Sequence, residues 1–175
     1  MVKIIISLLI CLLFIFAGCK DKIISPNTDN LPPDSINYSW KIDTLNLDPF
    51  ESLYDLWGNS AQDVWSVGSA GIWHYDGSKW KEFGDFSGII FSSIYGFSST
   101  DVWATTSDTG RIYHYDGSNW SLYQRFNFPG YSITSIKDIW GDSPNNVYAV
   151  GALYNTNGSA KGMILKYDGT KWDLL

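Results

Sequence analysis

Two histidines, two cysteines and a set of recurring aspartates are the residues of this 175-residue chain whose types could do chemistry. A neutral imidazole is the commonest side-chain metal ligand and titrates near neutral pH, so the histidines come first. His74 and His114 stand in one slot of two similar segments, Trp73-His74-Tyr75-Asp76-Gly77 and Tyr113-His114-Tyr115-Asp116-Gly117. A third segment, Leu165-Lys166-Tyr167-Asp168-Gly169, puts Lys166 in that slot. If the slot carried metal or proton chemistry, lysine would not substitute, so we read a strand-face ring that packs edgewise and expect no metal site. Asp76, Asp116 and Asp168 fail as a general acid and base for a similar reason: each sits at an equivalent turn of a separate repeat. Asp63, Asp101 and Asn146 share a second slot, where short polar side chains are expected to hydrogen-bond turn backbone. No Gly-rich phosphate loop, Gly-x-Ser-x-Gly elbow or His-Glu-x-x-His stretch occurs. These patterns therefore predict no catalytic residue and no cofactor.

The elements that position these residues are repeats. Trp57-Gly58-Asn59-Ser60-Ala61-Gln62-Asp63-Val64-Trp65 returns as Tyr95-Gly96-Phe97-Ser98-Ser99-Thr100-Asp101-Val102-Trp103 and as Trp140-Gly141-Asp142-Ser143-Pro144-Asn145-Asn146-Val147-Tyr148. Each copy is followed by Tyr-Asp-Gly-x-x-Trp, at Tyr75, Tyr115 and Tyr167, which are spaced by 40 and 52 residues. Periods of this size signal a repeat architecture. Each repeat holds four short segments rich in aromatic and β-branched residues, bounded by Gly, Asn, Asp and Ser, and no stretch has the 3.6-residue apolar period of a long helix. The predicted strands are Ser52–Trp57, Ser92–Tyr95 and Ser135–Trp140 (A); Val64–Val67, Val102–Thr105 and Val147–Val150 (B); Gly71–Tyr75, Arg111–Tyr115 and Met163–Tyr167 (C); and one beginning at each Trp80, Trp120 and Trp172 (D). Asp-Gly between two aromatic strands is a strong hairpin signal. The fold class is all-β, with four-stranded antiparallel blades spanning approximately 52–83, 92–123 and 135–175. The recurring aromatics at Trp57, Tyr95, Trp140, Trp65, Trp103 and Tyr148 are expected to fill the wedges between blades.

The N-terminus reads as an address. Lys3 precedes an unbroken apolar run from Ile4 to Phe16, too short for a comfortable membrane span and laid out as a secretory signal. Phe16-Ala17-Gly18-Cys19 resembles the lipobox of bacterial lipoproteins, with Phe16 where that family usually has Leu. The resemblance implies a signal peptide over 1–18, acyl chains on Cys19 and a membrane anchor; Lys20 after the cysteine lacks the aspartate-type inner-membrane retention signal, which favours the outer membrane. Cys11 leaves with the leader, so no disulfide is expected in the mature chain. The 19–37 stretch, with Pro26, Pro32 and Pro33, reads as a tether of roughly 23 Å. The net charge of −6 with scattered basic residues argues against a nucleic-acid partner.

Over Trp40 to Leu175 the motifs resemble the blades of bacterial β-propeller lipoproteins, near the WD-type and BNR-like repeats. They are not Asp-boxes, because Gly77, Gly117 and Gly169 directly follow the aspartate, so a sialidase-type activity is not carried over. Trp40-Lys41-Ile42 matches the residues that come after each Tyr-Asp-Gly turn, and so the 38–175 region is expected to open on a D-type strand. Propellers close with four to eight blades. Three blades are therefore expected to be part of a larger ring, or to be completed by other copies, with open edges prone to self-association. Recognition is expected on the end carrying the B–C and D–A connections, which vary in length between repeats. The candidate ligand-binding residues there are Arg125, Phe128, Tyr131, Tyr154, Asn155 and Asn157, the last three in a long B–C loop over 152–162. A glycan or a protein would suit them. The expected function is a non-catalytic, lipid-anchored binding module; the alternatives are a scaffold subunit of an envelope assembly complex and, third, a glycan-active enzyme using Asp48, Asp85 or Asp108.

Overall fold

The computed structural model describes residues 42–175. The lipobox with Cys19, the tether and Trp40 lie outside the described residues. Of the expected opening strand, Ile42–Leu45 is described and is not in a strand, and Ile42 is exposed.

Among the described residues, twelve strands form three separate four-stranded antiparallel sheets, each a simple meander in chain order. Blade 1 holds β1 (Leu53–Ser60), β2 (Asp63–Gly68), β3 (Gly71–Tyr75) and β4 (Trp80–Glu82). Blade 2 holds β5 (Phe91–Ser98), β6 (Asp101–Thr106), β7 (Arg111–Tyr115) and β8 (Trp120–Arg125). Blade 3 holds β9 (Ile133–Ser143), β10 (Asn146–Tyr154), β11 (Ala160–Tyr167) and β12 (Trp172–Leu174). The fold is all-β, with propeller-type blades. The first strands β1, β5 and β9 lie side by side. Blade 3 has its own fourth strand, β12, on β11, so the edge that an N-terminal strand would take in a closing blade is filled here.

Registers repeat with the sequence: Trp57 pairs with Trp65, Tyr95 with Trp103 and Trp140 with Tyr148. The Tyr-Asp-Gly turns have one chemistry. Asp76 Oδ1 accepts from the Ser78 N–H (3.0 Å), the Lys79 N–H (3.0 Å) and the Ser78 hydroxyl (2.6 Å), and Asp168 Oδ1 repeats this with Thr170 and Lys171. The following glycine is left-handed each time, with φ of +88°, +94° and +94° at Gly77, Gly117 and Gly169. A Cβ there would also run into Gln62, Thr100 or Asn145 of the A–B turn, so both turns share one end of the blade.

The Thr170 hydroxyl is the main cause holding the Asp168 carboxyl down at about 2, ahead of the Lys171 and Thr170 N–H groups. Because the folded value is the lower one, the turn's contribution is present above the ordinary carboxylate range and is lost as pH falls through about 2. Thr170→Ala is expected to raise that value toward 3.8, read by an NMR titration of the Asp168 carboxyl. An unmoved midpoint would refute the role given to the hydroxyl.

Two apolar wedges join the blades. Between blades 1 and 2 lie Trp65, Val67, Ile72, Phe91, Ile94, Val102, Ala104, Tyr113 and Tyr115; between blades 2 and 3 lie Trp103, Ile112, Ile139, Val147, Ala149, Leu165, Tyr167 and Trp172. Trp65 and Trp103 fill these wedges as their recurrence implied, with Trp57 and Tyr95 packed against them, whereas Trp140 stands exposed and Tyr148 half-buried on the side of blade 3 that meets no other described blade. Burial pushes the Tyr167 hydroxyl up to about 12, helped by its 3.0 Å bond to the Tyr123 hydroxyl. Trp65, Trp120 and Trp172 bury indole N–H groups that have no hydrogen-bond partner among the described residues. Each such group costs about 1–3 kcal/mol, so ring burial must supply the stability of the wedge.

Candidate functional site

The histidine slot is structural, and its partner is the other repeated slot. His74 Nε2 lies 2.8 Å from Asp63 Oδ1, and its ring stacks on Trp65 at 4.0 Å. His114 Nε2 lies 2.8 Å from Asp101 Oδ1, beside Trp103 at 4.2 Å, and the Trp103 indole N–H also donates to Asp101 Oδ1. The Asp63 and Asp101 carboxylates thus cross to the third strand of their blade, where turn backbone had been the expectation. Blade 3 exchanges the whole set. Asn146 replaces the acid and donates to Asp142, while Lys166 Nζ sits 5.4 Å from the Tyr148 ring centroid, a cation–π contact. Asp/His/Trp and Asn/Lys/Tyr are two solutions to one problem, a polar head laid over a ring. No cluster of three His, Cys, Asp or Glu able to hold a metal occurs among the described residues.

The variable connections gather at the other end of the blades. The Ala70 N–H donates to Ser52 O, tying the first B–C connection to the segment before β1; the Phe126 N–H donates to Gly110 O and the Ser132 N–H to Tyr154 O, tying the D–A connection of blades 2 and 3 to a B–C connection and to the end of β10. Two clefts open here in equivalent places. One, of about 260 Å³, is lined by Asp108, Thr109, Arg125, Phe126, Asn127, Ser132 and Thr134. The other, of about 150 Å³, is lined by residues that include Glu51, Ser69, Glu82, Phe86 and Ser87.

Of the six candidates, Arg125 alone is among the residues lining the larger cleft, and it is exposed. Phe128 and Tyr131 close a turn (Tyr131 N–H to Phe128 O, 3.1 Å) and are half-buried against the blade 2–3 wedge, with Phe128 stacked on Phe126 at 6.2 Å. Tyr154 ends β10 and is not among the residues lining the cleft; its carbonyl accepts from the Ser132 N–H and hydroxyl. Asn155 Oδ1 and Asn157 Oδ1 both accept from the Ser159 N–H, spending their acceptors on their own turn.

The 152–162 loop is the largest departure from the sequence reading. β10 and β11 pair from Val147↔Tyr167 out to Tyr154↔Ala160, leaving Asn155–Ser159 as the turn. Leu153 and Met163 are buried on this extended hairpin, and that burial holds the strands together beyond the point where Gly, Asn and Ser suggested a loop.

Of the expected loop acids, Asp108 alone lines either cleft. Asp85 Oδ1 accepts from the Ser87 hydroxyl and N–H, which hold its carboxyl below the ordinary range. The Asp48 N–H donates to Glu51, and Asp108 lines the larger cleft. Glu51 and Glu82, which share the smaller cleft, were not singled out by sequence; they come from different connections and no motif links them. A polar row was missed as well. Asp55, Ser93 and Asp138 occupy one slot of the three first strands, with Ser93 Oγ 2.7 Å from Asp55 Oδ2 and 2.9 Å from Asp138 Oδ1. The signal was available, since all three stand two residues before the aromatic of the aromatic-Gly pair.

No protein-family model matches the chain. No curated protein matches it in sequence. Among solved structures it is similar to one described as YCF48 bound to D1 peptide, at 18% identity and a TM-score of 0.48, with 74% of this chain and 42% of that chain covered. The chain thus spans less than half the length of that structure.

Proposed function

We propose that this chain is an exported lipoprotein, anchored by acyl chains on Cys19 with a preference for the outer membrane, whose blades form a non-catalytic module that binds a protein ligand. The observation that carries the binding site is the composition of the larger cleft. It joins Asp108 and Arg125, charges of opposite sign, with the hydroxyls of Thr109 and Ser132 and the amide of Asn127. An extended peptide offers alternating donors and acceptors to such a lining. A glycan reader needs exposed rings to stack on, whereas Phe126 is buried here and Phe128 and Tyr131 lie half-buried on the wedge. Protein is therefore favoured over carbohydrate.

The test is a peptide array and a glycan array probed with the chain and with Arg125→Glu. The expected result is a set of peptide ligands whose affinity falls at least about tenfold in the variant, about 1.4 kcal/mol. Glycan binding alone, glycan hydrolysis, or peptide binding that ignores Arg125 would refute the reading. The anchor is tested separately by labelling cells with radioactive palmitate. Label is expected in the wild type and absent from Cys19→Ser, and an equally labelled variant would refute acylation at that cysteine.

A further inference from the structure

Each blade has a forward face toward the next blade and a rear face toward the previous one. The strand registers assign the slots. Forward slots are Trp57, Trp65, Val67, Ile72 and His74 in blade 1, and Trp140, Tyr148, Val150, Ile164 and Lys166 in blade 3. Rear slots are Ile94, Val102, Ala104, Tyr113 and Tyr115 in blade 2, and Leu56, Val64, Ser66, Trp73 and Tyr75 in blade 1. At the existing interfaces these slots are closed: Trp65 is 1%, Ile72 0% and Ile94 3% exposed. Of the same slots at the two ends of the row, Trp140 is 54%, Ile164 47%, Val150 42% and Leu56 66% exposed, five others are half-buried, and Ser66 is buried. Among the described residues, the row therefore ends in one unpartnered forward face and one unpartnered rear face. Both are built from the residue types that pack together twice within the chain.

A second observation points the same way. At each existing interface an aromatic ring of the earlier blade covers a glycine of the later one, leaving no space for a Cβ: Trp57 over Gly96, and Phe97 over Gly141. Gly58 occupies that slot in blade 1, where the three nearest described atoms to a Cβ all belong to its own blade: Val64 Cγ2 at 3.2 Å, Asp63 O at 3.5 Å and Ser60 O at 3.6 Å. This glycine lies on the rear side of blade 1, and the exposed indole of Trp140 lies on the forward side of blade 3.

We propose that the occupant of each open face is a second copy of this chain. Blade 3 of each copy docks forward onto the rear of blade 1 of the other, giving a two-fold ring of six blades with no face left open. In that arrangement Trp140 covers Gly58 of the second copy, and Tyr148 meets the rings of Tyr75 and Trp80 of the second copy, as Trp65 in the same slot meets Tyr115 and Trp120, and Trp103 meets Tyr167 and Trp172. Two head-to-tail contacts related by a two-fold axis close on themselves, so the assembly stops at two.

The experiment is native mass spectrometry of the full chain released from detergent micelles, on wild type, Trp140→Glu and Gly58→Arg. Both substitutions sit on exposed surface, and Gly58 does not have the positive φ that would strain a side chain. Circular dichroism checks that each variant keeps the wild-type fold. The expected result is a discrete species of twice the mass of the processed, acylated monomer, with no larger ladder, lost to monomer in each variant. Mixing the two variants is expected to restore a dimer, because together they retain one intact forward and one intact rear face. A folded wild-type monomer would overturn the proposal and leave the faces to blades on a longer chain. An open-ended ladder, or a dimer surviving both substitutions, would overturn it as well.

Discussion

Trp103→Ala is expected to destabilise the folded chain by about 3–5 kcal/mol, the range for truncating a large buried aromatic. Trp103 is 3% exposed at the centre of the blade 2–3 wedge. Its ring centroid lies 4.9 Å from that of Tyr123, 5.3 Å from that of Tyr167 and 5.9 Å from that of Trp172. Its indole N–H donates to Asp101 at 2.9 Å. Truncation opens a cavity against three other rings and removes one of the groups that fix Asp101 beside His114. The surrounding strands are hydrogen-bonded on both sides, so they cannot collapse to fill it. The control is Tyr148→Ala, the same slot in blade 3 on the open forward face, where the cost is expected to stay under about 1 kcal/mol in a monomeric background such as Gly58→Arg. Urea denaturation followed by tyrosine and tryptophan fluorescence measures both. Equal costs for the two sites would show that the wedge does not carry the stability assigned to it.

Gly151→Ala is expected to be nearly as damaging, for a different reason. A single methyl is added at a site where its Cβ would coincide with the Ser135 carbonyl oxygen, with the Ser135 carbonyl carbon at 2.9 Å and the Ile136 Cα at 3.0 Å. All three are backbone, so no side chain can swing away. To admit the methyl, β9 and β10 must separate where they pair Gly151↔Ile136, next to an existing register shift. Overpacking of this kind costs typically about 1–3 kcal/mol, and the rigidity of the obstacle places this case at the upper end. Gly68→Ala is expected to behave alike, since its Cβ would coincide with the Ser52 carbonyl oxygen. By contrast Gly162→Ala, with nothing within 4 Å, is expected to leave the denaturation midpoint unchanged. A Gly151 variant as stable as the Gly162 variant would refute the clash.

The strand plan was readable because its signals are local. Asp-Gly turns and aromatic or β-branched runs act within a few residues, and all four strands of every blade fall where they were expected, with ends shifted by a few positions. The candidate site was less readable. Phe128 and Tyr131 looked like free stacking surface because sequence shows ring chemistry but not which way a ring turns; the wedge claims both. The 152–162 stretch looked like a loop because its composition is that of loops. The burial of Leu153 and Met163, ten residues apart, is what makes it a hairpin.

By itself, then, the sequence determined the repeat, the turn chemistry and the separation of structural slots from variable ones, because residues sharing a slot in three copies answer to the same local geometry. Tertiary structure alone decided which slots pair and which are covered. Asp63 meets His74 only when β2 and β3 lie side by side, and Asp55, Ser93 and Asp138 meet only when three blades are set around their first strands. Trp57 and Trp140 carry the same side chain in the same slot, yet Trp57 covers a glycine of the following blade and Trp140 stands open. Burial is a property of the neighbour as much as of the residue, and the neighbour is supplied only when the blades come together.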